Sequence, residues 1–363
     1  MIPGMDALES AAHRVLRSIP DGLARGEVSA GLYGLGFLGR SALPRLKARG
    51  VRLVSCHDAN EAMNGTLAEG LPVYAASDLK STRPEFLIVT ARHAVKPVSG
   101  MLSDLGIPHA SYDAWHVASD FAGFRHVHDC ILSDDRSKEV LRAVLMTMLT
   151  GEKSYCHAVF EKDQYFCLPR FCGAEKEIYV DAGAFVGDSV ERFIWTHCGV
   201  FSKVYAFEPG PRQFSALKLR TERLTTEWAL DSTSIKLINA GLGETDCSTR
   251  AGSDNGQATS LAVGHDTQAG GVSVDIVGLD GFLKGERITF LKADVEGMEM
   301  ALLKGAQSTI RRWKPKISIC VYHHPTDIPD IANYLSGLVP DYRFALRHHS
   351  PQLMETVLYC WAD

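Results

Sequence analysis

Two glycine-rich turns in this sequence have the residue types that bring a backbone close to a nucleotide. The first is LYGLGFLGR at residues 32–40, in which Gly34, Gly36 and Gly39 have the spacing of a dinucleotide-binding turn. The second is YVDAGAFVG at residues 179–187. Glycine permits close approach because it has no Cβ to meet the ligand. The question is therefore which turn holds a working cofactor.

The second turn is followed by an acidic residue where a nucleotide site requires one. The turn contains Asp181, Gly183 and Gly187, and Glu208 ends the next predicted strand, 27 positions after Asp181. A carboxylate at that point can accept hydrogen bonds from both hydroxyls of an adenosine ribose. This ordered set is more specific than a glycine turn alone.

Side chains that bind ligands or move protons follow three later predicted strands. They are Lys292, Asp294 and Glu296 after the first, His323 and His324 after the second, and His348 and His349 after the third. Ligands of open α/β sheets bind beyond the carboxyl ends of the strands, so these residues face one edge. Structural roles also explain several of them, because Asp294 can cap a helix, Glu296 can pair with its dipole, and the last two histidines can bond across a hairpin.

The elements that position these residues form two alternating series. Strand and helix patterns alternate from residue 28 to about 115, and again from 177 to the end, which predicts parallel sheets. Between them, SDDRSKEVLRAVLMTMLTGE predicts one capped helix that ends at Gly151. We predict an α/β fold with two doubly wound Rossmann-like domains, divided as an N-terminal domain 1–124, a helical connector 125–177 and a second domain 178–363.

Composition excludes several classes of partner. The chain has 363 residues, of which 45% are hydrophobic and 22% charged, and its formal charge is -5. It contains no long Lys/Arg block and no apolar run that could cross a bilayer, so we expect neither nucleic acid nor membrane as a partner. The first twenty residues do not resemble a signal peptide, and the nine cysteines include no CxxC pair. A cytoplasmic protein is expected, and a homodimer is left open.

Six pieces of the second series occur in the order of a known family. They are VDAGAFVGDS, YAFEPGPRQF, NAGLGE, GLDGFL, FLKADVEGMEMALLKGA and the tail YHHPTDI…YRFALRHH…ETVLY. This stretch, residues 178–363, resembles the FkbM family of S-adenosylmethionine-dependent methyltransferases, and KADVEGMEMALLKGA is its most specific part. The resemblance implies a seven-strand sheet whose last strand runs antiparallel. It also implies methyl transfer, usually to oxygen, on a sugar or secondary metabolite.

The resemblance also implies roles for individual residues. Asp181, Gly183 and Gly187 would hold the methionine end of S-adenosylmethionine and Glu208 its ribose, with Asp294 beside the donor. Tyr165, in DQYF, resembles a family segment near the donor, although core packing explains it equally well. Ser260, with Thr259, aligns with a small hydroxyl position of the family in the glycine-rich loop 248–273.

Methyl transfer to a hydroxyl requires a base, because a hydroxyl is a poor nucleophile. His323 is the expected base, since a neutral imidazole near physiological pH suits that task, and Asp294 is the other expected catalytic residue. Glu296, His324, Ser260 and Tyr165 are candidate contacts to the acceptor. Carboxylates and histidines at one edge could also bind a metal, but their spacings match no compact metal motif, so no metal is expected.

The first turn leaves two alternative functions open. Gly34, Gly36, Gly39 and Asp58 form a complete dinucleotide fingerprint, which on its own would indicate an NAD-dependent oxidoreductase. Nothing after it resembles a hydride-transfer site, and its glycines could simply pack a helix against a strand. The other alternative is a non-catalytic module that binds a nucleotide or a sugar.

Overall fold

The computed structural model describes residues 2–173, 176–251 and 272–363. Ser260, Thr259 and most of the loop 248–273 lie outside the described residues. Within the described ranges, no helix has both the length and the apolar character needed to span a membrane.

The first sheet contains six strands in the part of the chain that the structure describes. Their order is β3-β4-β2-β1-β5-β6, and every pair is parallel except β3 with β4. The elements are α1 (Met5–Ser18), β1 (Ser29–Tyr33), α2 (Phe37–Ala48), β2 (Arg52–Asp58), β3 (Leu67–Ala68), β4 (Leu71–Ala75), α3 (Leu79–Thr82), β5 (Phe86–Val89), α4 (Val95–Asp104) and β6 (His109–Ser111). Two separate apolar clusters cover the two faces of this sheet, as in doubly wound folds.

Helices link the two sheets. They are α5 (Tyr112–Ser119), α6 (Phe121–His126), α7 (Asp135–Thr150) and α8 (Ser154–Val159). The predicted capped helix is confirmed in α7, where the Asp134 side chain accepts a 2.8 Å hydrogen bond from the Ser137 amide. Gly151 ends the helix with φ +69°. The predicted boundaries 1–124, 125–177 and 178–363 stay a prediction.

The N-terminal helix α1 packs outside the first sheet. Leu8 and Ala12 of α1 are fully buried, and they belong to the same apolar core as Val144 of α7 and as residues of the second sheet. One core therefore joins the N-terminal helix, the linking helices and one face of the second sheet.

The second sheet contains seven of the strands in the described ranges. The elements of this half are β7 (Ile178–Ala182), α9 (Asp188–Thr196), β8 (Lys203–Phe207), α10 (Pro211–Glu227), β9 (Ile235–Ile238), β10 (Gly241–Gly243), β11 (Cys247–Ala251), β12 (Val272–Gly278), α11 (Leu279–Leu283), β13 (Phe290–Ala293), α12 (Glu299–Gly305), α13 (Gln307–Trp313), β14 (Lys316–Cys320), α14 (Asp327–Leu338), β15 (Arg343–His348) and β16 (Thr356–Trp361). The order in the second sheet is β15-β16-β14-β13-β7-β8-β9. Since β16 is antiparallel to both neighbours, the predicted fold with its antiparallel last strand is confirmed.

A small third sheet pairs β10 with β12 in parallel and β11 with β12 antiparallel. The stretch SIKLINAGLG has the residue pattern of a single strand, but the structure divides it into β9 and β10. The break falls at Asn239, whose side-chain amide donates a 2.8 Å hydrogen bond to the carbonyl oxygen of Glu208. That bond ties the end of β9 to the loop after β8, so β10 starts on a different path.

Candidate active site

A cavity of about 250 Å³ opens at the carboxyl ends of β7, β8 and β13. Of the residues singled out from sequence, Tyr165, Gly183, Glu208, Asp294 and Glu296 line it. Other lining residues are Gln164, Phe185, Asp188, Ser189, Pro209, Gly241, Leu242, Lys292, Val295, Tyr322 and Glu355. The lining residues do not include Asp181, Gly187, His323 or His324. The second glycine turn is thus beside a cavity, as its spacing predicts.

Gly183 allows the turn after β7 to touch the loop after β13. Its φ is +76°, and a Cβ at this position would lie 1.8 Å from the carbonyl oxygen of Asp294. Gly187 has φ +86°, and its Cβ would lie 2.8 Å from Leu217. The two glycines therefore serve backbone packing, and only Gly183 also borders the cavity.

Asp181 stabilises the turn after β7 through buried contacts. Its carboxylate is fully buried, lies 3.0 Å from the Lys292 ammonium and accepts a 2.6 Å hydrogen bond from Ser189. Lys292 also donates a 2.7 Å hydrogen bond to the Gly183 carbonyl. Burial opposes the charge on Lys292, but Asp181 outweighs it and raises the pKa of the ammonium. Asp181 therefore stabilises the turn and Ser189 lines the cavity, and the cradle role implied for Asp181 stays a prediction.

Glu208 is a buried carboxylate that holds the same turn. It accepts a 2.9 Å hydrogen bond from the Phe185 amide and one of 2.7 Å from the Gly210 amide. Burial raises its pKa to about 7, even though both amides favour the charged form. Carboxylate oxygens have further lone pairs, so Glu208 can still accept hydrogen bonds from a ligand in the cavity.

Asp294 and Tyr165 meet at the opposite wall. The Tyr165 hydroxyl donates a 2.6 Å hydrogen bond to one carboxylate oxygen of Asp294. Burial opposes the negative charge of Asp294, but Lys292 and His323 outweigh burial and lower its pKa. Within the described ranges its other oxygen, Oδ1, is buried without a hydrogen-bond partner. The nearest charged group to Oδ1 is His323, whose Nε2 lies 3.6 Å away.

His323 lies among carboxylates and is charged. Its Nδ1 is 2.9 Å from Glu299, and its Nε2 is 3.6 Å from both Asp294 and Glu296. Burial lowers the pKa of the imidazole, but these carboxylates, led by Glu299, outweigh burial and raise it to about 10. The sequence analysis expects a neutral imidazole base, and this environment contradicts that state. Nothing in the sequence around His323 reveals Glu299, which approaches from the first turn of α12.

Glu296 is the second carboxylate at the cavity, after Glu208, whose pKa is raised to about 7. Burial raises its pKa to about 7, with nearby Asp294 adding to the shift and His323 opposing it. Its backbone is left-handed at φ +51°, followed by Gly297 at φ +89°. These two residues turn the chain sharply after β13 and place the Glu296 side chain above His323.

Three cavity residues, Glu355, Gln164 and Tyr322, bond to one another and were not singled out from the sequence. Glu355 accepts a 2.5 Å hydrogen bond from the Gln164 amide and one of 3.3 Å from the Tyr322 hydroxyl. Burial raises the pKa of Glu355. Their sequence signals were weak, because Glu355 precedes the last strand and Gln164 lies in the segment before β7. Tyr322 directly precedes the predicted histidine pair.

The remaining histidines have structural partners. His348 lies 2.8 Å from the Thr356 hydroxyl across the β15–β16 hairpin, and His349 lies 2.9 Å from the Tyr359 hydroxyl.

Asp294, Glu299 and His323 offer ligand atoms within 4.8 Å of one another. Glu299 approaches one ring nitrogen and Asp294 the other, so ion pairing accounts for this cluster without a shared cation.

The first glycine turn is stabilised by its own residues. A Cβ on Gly39 would lie 1.8 Å from the Gly34 carbonyl oxygen, so that glycine packs α2 against β1. Asp58 accepts hydrogen bonds from the Leu35 amide at 2.6 Å and from the Asn60 amide at 2.8 Å. Both oxygens of Asp58 hold local backbone, as both oxygens of Glu208 do, and no atom lies within 4 Å of the position that a Cβ on Gly36 would take.

The strand order and the cavity at the strand ends are those of an α/β methyltransferase. Residues 181–345 match the model of the methyltransferase FkbM domain. A solved methyltransferase FkbM from Methylobacillus flagellatus KT is similar across 98% of both chains, with 25% identity and a TM-score of 0.59. The second half of this chain is therefore similar to the methyltransferase FkbM domain over residues 181–345.

Two further solved structures are similar over a smaller part of the chain. A putative methyltransferase from Streptococcus mutans in complex with SAH is 14% identical over 58% of this chain and 94% of its own, with a TM-score of 0.32. An rRNA methylase from Streptococcus thermophilus is 16% identical over 58% and 93%, with a TM-score of 0.33. No curated protein matches the chain.

Proposed function

We propose that this protein is an S-adenosylmethionine-dependent O-methyltransferase that acts on a saccharide or a related polar metabolite. The observation that carries the proposal is the meeting of Glu208 and Asp294 at one cavity, beside the glycine turn after β7. S-adenosylmethionine would supply a reactive methyl on a sulfonium cation. The residues at this cavity fit such a cation, because the carboxylates of Asp188, Glu208, Asp294, Glu296 and Glu355 line it while the one lining ammonium, Lys292, is paired with Asp181.

Each wall of the cavity has its own part in holding the donor. Glu208 would accept hydrogen bonds from the ribose hydroxyls. The turn from Gly183 to Ser189 would face the methionine end, and Asp294 would offset positive charge. The Asp181–Lys292 ion pair keeps this turn in place. Most of the rate gain in such a reaction comes from positioning the two reactants in line.

Glu296 is the proposed proton acceptor. The acceptor hydroxyl would give its proton to the Glu296 carboxylate, and S-adenosylmethionine, held at Glu208 and Asp294, would supply the methyl group to that oxygen and leave as S-adenosylhomocysteine. A carboxylate with a pKa of about 7 is matched to this task at neutral pH. His323, held charged by Glu299, lies 3.6 Å from both Asp294 and Glu296 and so would hold the two carboxylates in place at the cavity.

The charge of the cavity favours a neutral acceptor with many hydroxyls. Its far side is lined by Asp294, Glu296 and Glu355, whereas the lining ammonium of Lys292 is paired with Asp181. Carboxylates accept hydrogen bonds from sugar hydroxyls and repel phosphate or carboxylate groups. We therefore expect neutral monosaccharides to be methylated in preference to their phosphate esters.

Calorimetric titration with S-adenosylhomocysteine tests the donor site. Glu208→Gln should weaken binding about tenfold or more, because it removes charge-assisted hydrogen bonds to the ligand. Asp58→Asn, the matched change at the first glycine turn, should leave this affinity unchanged. The NAD-dependent alternative is tested in the same way with NAD and NADH. Binding of NAD alone, weakened by Asp58→Asn, would refute the proposed function.

A further inference from the structure

The first glycine turn, which no step above uses, lies against the methyltransferase site. Phe37 begins α2 directly after Gly36, and its ring contacts two histidines of the loop after β14. It is nearly parallel to His324, with ring centroids 6.3 Å apart and an interplanar angle of 21°. It meets His323 edge-on at 5.9 Å. The helix start that would face a pyrophosphate in a dinucleotide site therefore faces another part of this chain.

The lack of a side chain at Gly297 makes this packing possible. Gly297, next to Glu296, has φ +89°, and a Cβ there would lie 2.7 Å from His324 Nε2 and 3.5 Å from the Phe37 ring. Three parts of the chain therefore meet at one point. They are the loop that carries Glu296, the histidine pair, and the start of α2 in the first domain.

Arg45 of α2 holds the outer histidine. Its guanidinium nitrogens lie 2.7 and 2.8 Å from the two ring nitrogens of His324. Burial, with Arg45 as the next cause, lowers the pKa of His324 to about 3, so the imidazole is neutral. A neutral ring can accept a hydrogen bond from the guanidinium, and the His324 amide donates to Asp327 at 2.6 Å.

Arg92 holds the residue before the histidines. It follows β5 and makes two parallel hydrogen bonds to Asp113, of 2.8 and 2.6 Å. Its remaining terminal nitrogen donates to the carbonyl oxygen of Tyr322. The Arg92 and Asp113 side chains are only 15% and 4% exposed, so this geometry is fixed by burial. The Tyr322 side chain is at the cavity, where its hydroxyl bonds to Glu355.

We propose that the first domain acts as a clamp, in which Phe37, Arg45 and Arg92 are positioning residues that hold Tyr322, His323 and His324 for methyl transfer. The clamp rests on the proposed function, because it assigns a role to residues around that cavity. It gives the GLGFLG motif a use that does not require a nucleotide: the glycines let α2 start close to β1, and Phe37 projects from that start onto the site.

Diethyl pyrocarbonate labelling tests the contact without knowledge of the acceptor. The reagent modifies neutral imidazole, so the cover by Phe37 and Arg45 limits labelling of His324. Phe37→Ala and Arg45→Ala in the full chain should each raise its labelling rate, read by mass spectrometry, at least about fivefold. Phe37→Leu should restore much of the cover. Arg40→Ala is the matched control, because Arg40 is an exposed arginine of the same helix whose guanidinium donates to the nearby carbonyl of Leu35.

Kinetics and donor binding then separate positioning from general damage. With a monosaccharide that the unsubstituted protein methylates, Phe37→Ala and Arg92→Lys should lower kcat about tenfold to a hundredfold, while the affinity for S-adenosylhomocysteine changes less than about twofold. Unchanged labelling, with donor binding intact, would overturn the clamp alone. Equal losses in Arg40→Ala would overturn it too. Absence of S-adenosylhomocysteine binding in the unsubstituted protein would instead refute the proposed function.

Discussion

At the scale of single residues, proton transfer should depend on Glu296. Burial and Asp294 raise its pKa from the usual carboxylate range to about 7, and only the ionised form can accept a proton. Activity should therefore be full above pH 7 and fall as the pH drops through about 7, because the carboxylate becomes protonated. Initial rates measured from about pH 5 to about pH 9 check this.

Substitution isolates that group from the rest of the protein. Glu296→Gln should lower kcat by about a hundredfold or more and remove the fall in rate near pH 7. Glu286→Gln is a suitable control, since Glu286 pairs with Lys203 away from the cavity. A rate that falls through the same pH in Glu296→Gln would assign the proton acceptor to a different residue.

The sequence predicted which residues lie close together, but it did not predict their protonation states. Strand ends correctly brought Glu208, Asp294, Glu296 and His323 to one edge, because parallel strands all end on the same side. The charge of His323 could not be predicted, since it depends on Glu299 reaching back from α12. Protonation is decided by distances of a few ångströms between separate elements, which residue spacing does not contain.

At the scale of elements, the glycine turns have strict steric requirements. Gly183→Ala places a Cβ 1.8 Å from a backbone oxygen at φ +76°. It should lower the free energy of unfolding by about 3 kcal/mol and weaken S-adenosylhomocysteine binding, because β7 and β13 must separate. Urea unfolding and calorimetry measure both effects.

A helical glycine is the matched control. Gly337 in α14 has room for an added methyl group, since no atom lies within 4 Å of the position that a Cβ would take. Gly337→Ala should therefore be neutral or stabilise the protein by about 0.5–1 kcal/mol. Equal stability of Gly183→Ala and Gly337→Ala would mean that the turn after β7 adapts without cost.

Element types were predictable because periodicity and turn residues agree over long stretches. The Asp134 cap, the Gly151 end and the closing β15–β16 hairpin follow from local chemistry. The division between β9 and β10 was not predictable, because it depends on a hydrogen bond from Asn239 to a loop 31 residues earlier. Glycine spacing likewise cannot distinguish a glycine that faces a ligand from one, like Gly39, that faces a backbone carbonyl.

At the scale of the whole molecule, the N-terminal helix should stabilise the second half of the chain. Leu8 is fully buried in the core that α1 shares with α7 and the second sheet. Leu8→Ala should cost about 2–5 kcal/mol, and hydrogen exchange in β7 should accelerate accordingly. Leu16→Ala, at a position 38% exposed on the same helix, should change little. Faster exchange confined to the first sheet would contradict this coupling.

The shared core and the Phe37–His324 contact make the two halves interdependent. The similarity to the Methylobacillus flagellatus protein also extends over 98% of both chains, beyond the matched domain at 181–345. From sequence, the halves read as two independent series, because contacts between distant segments leave no periodic signal.

The antiparallel pairing of β11 with β12 has a practical consequence for redesign. Their register runs from Cys247 opposite Ile276 to Ala251 opposite Val272, so the intervening segment leaves and re-enters at facing positions. Main-chain hydrogen bonds between β11 and β12 hold the end of β11 beside the start of β12. Libraries that vary the joining residues in length and composition can therefore be grafted here to search for new acceptors while the donor-binding scaffold is kept constant.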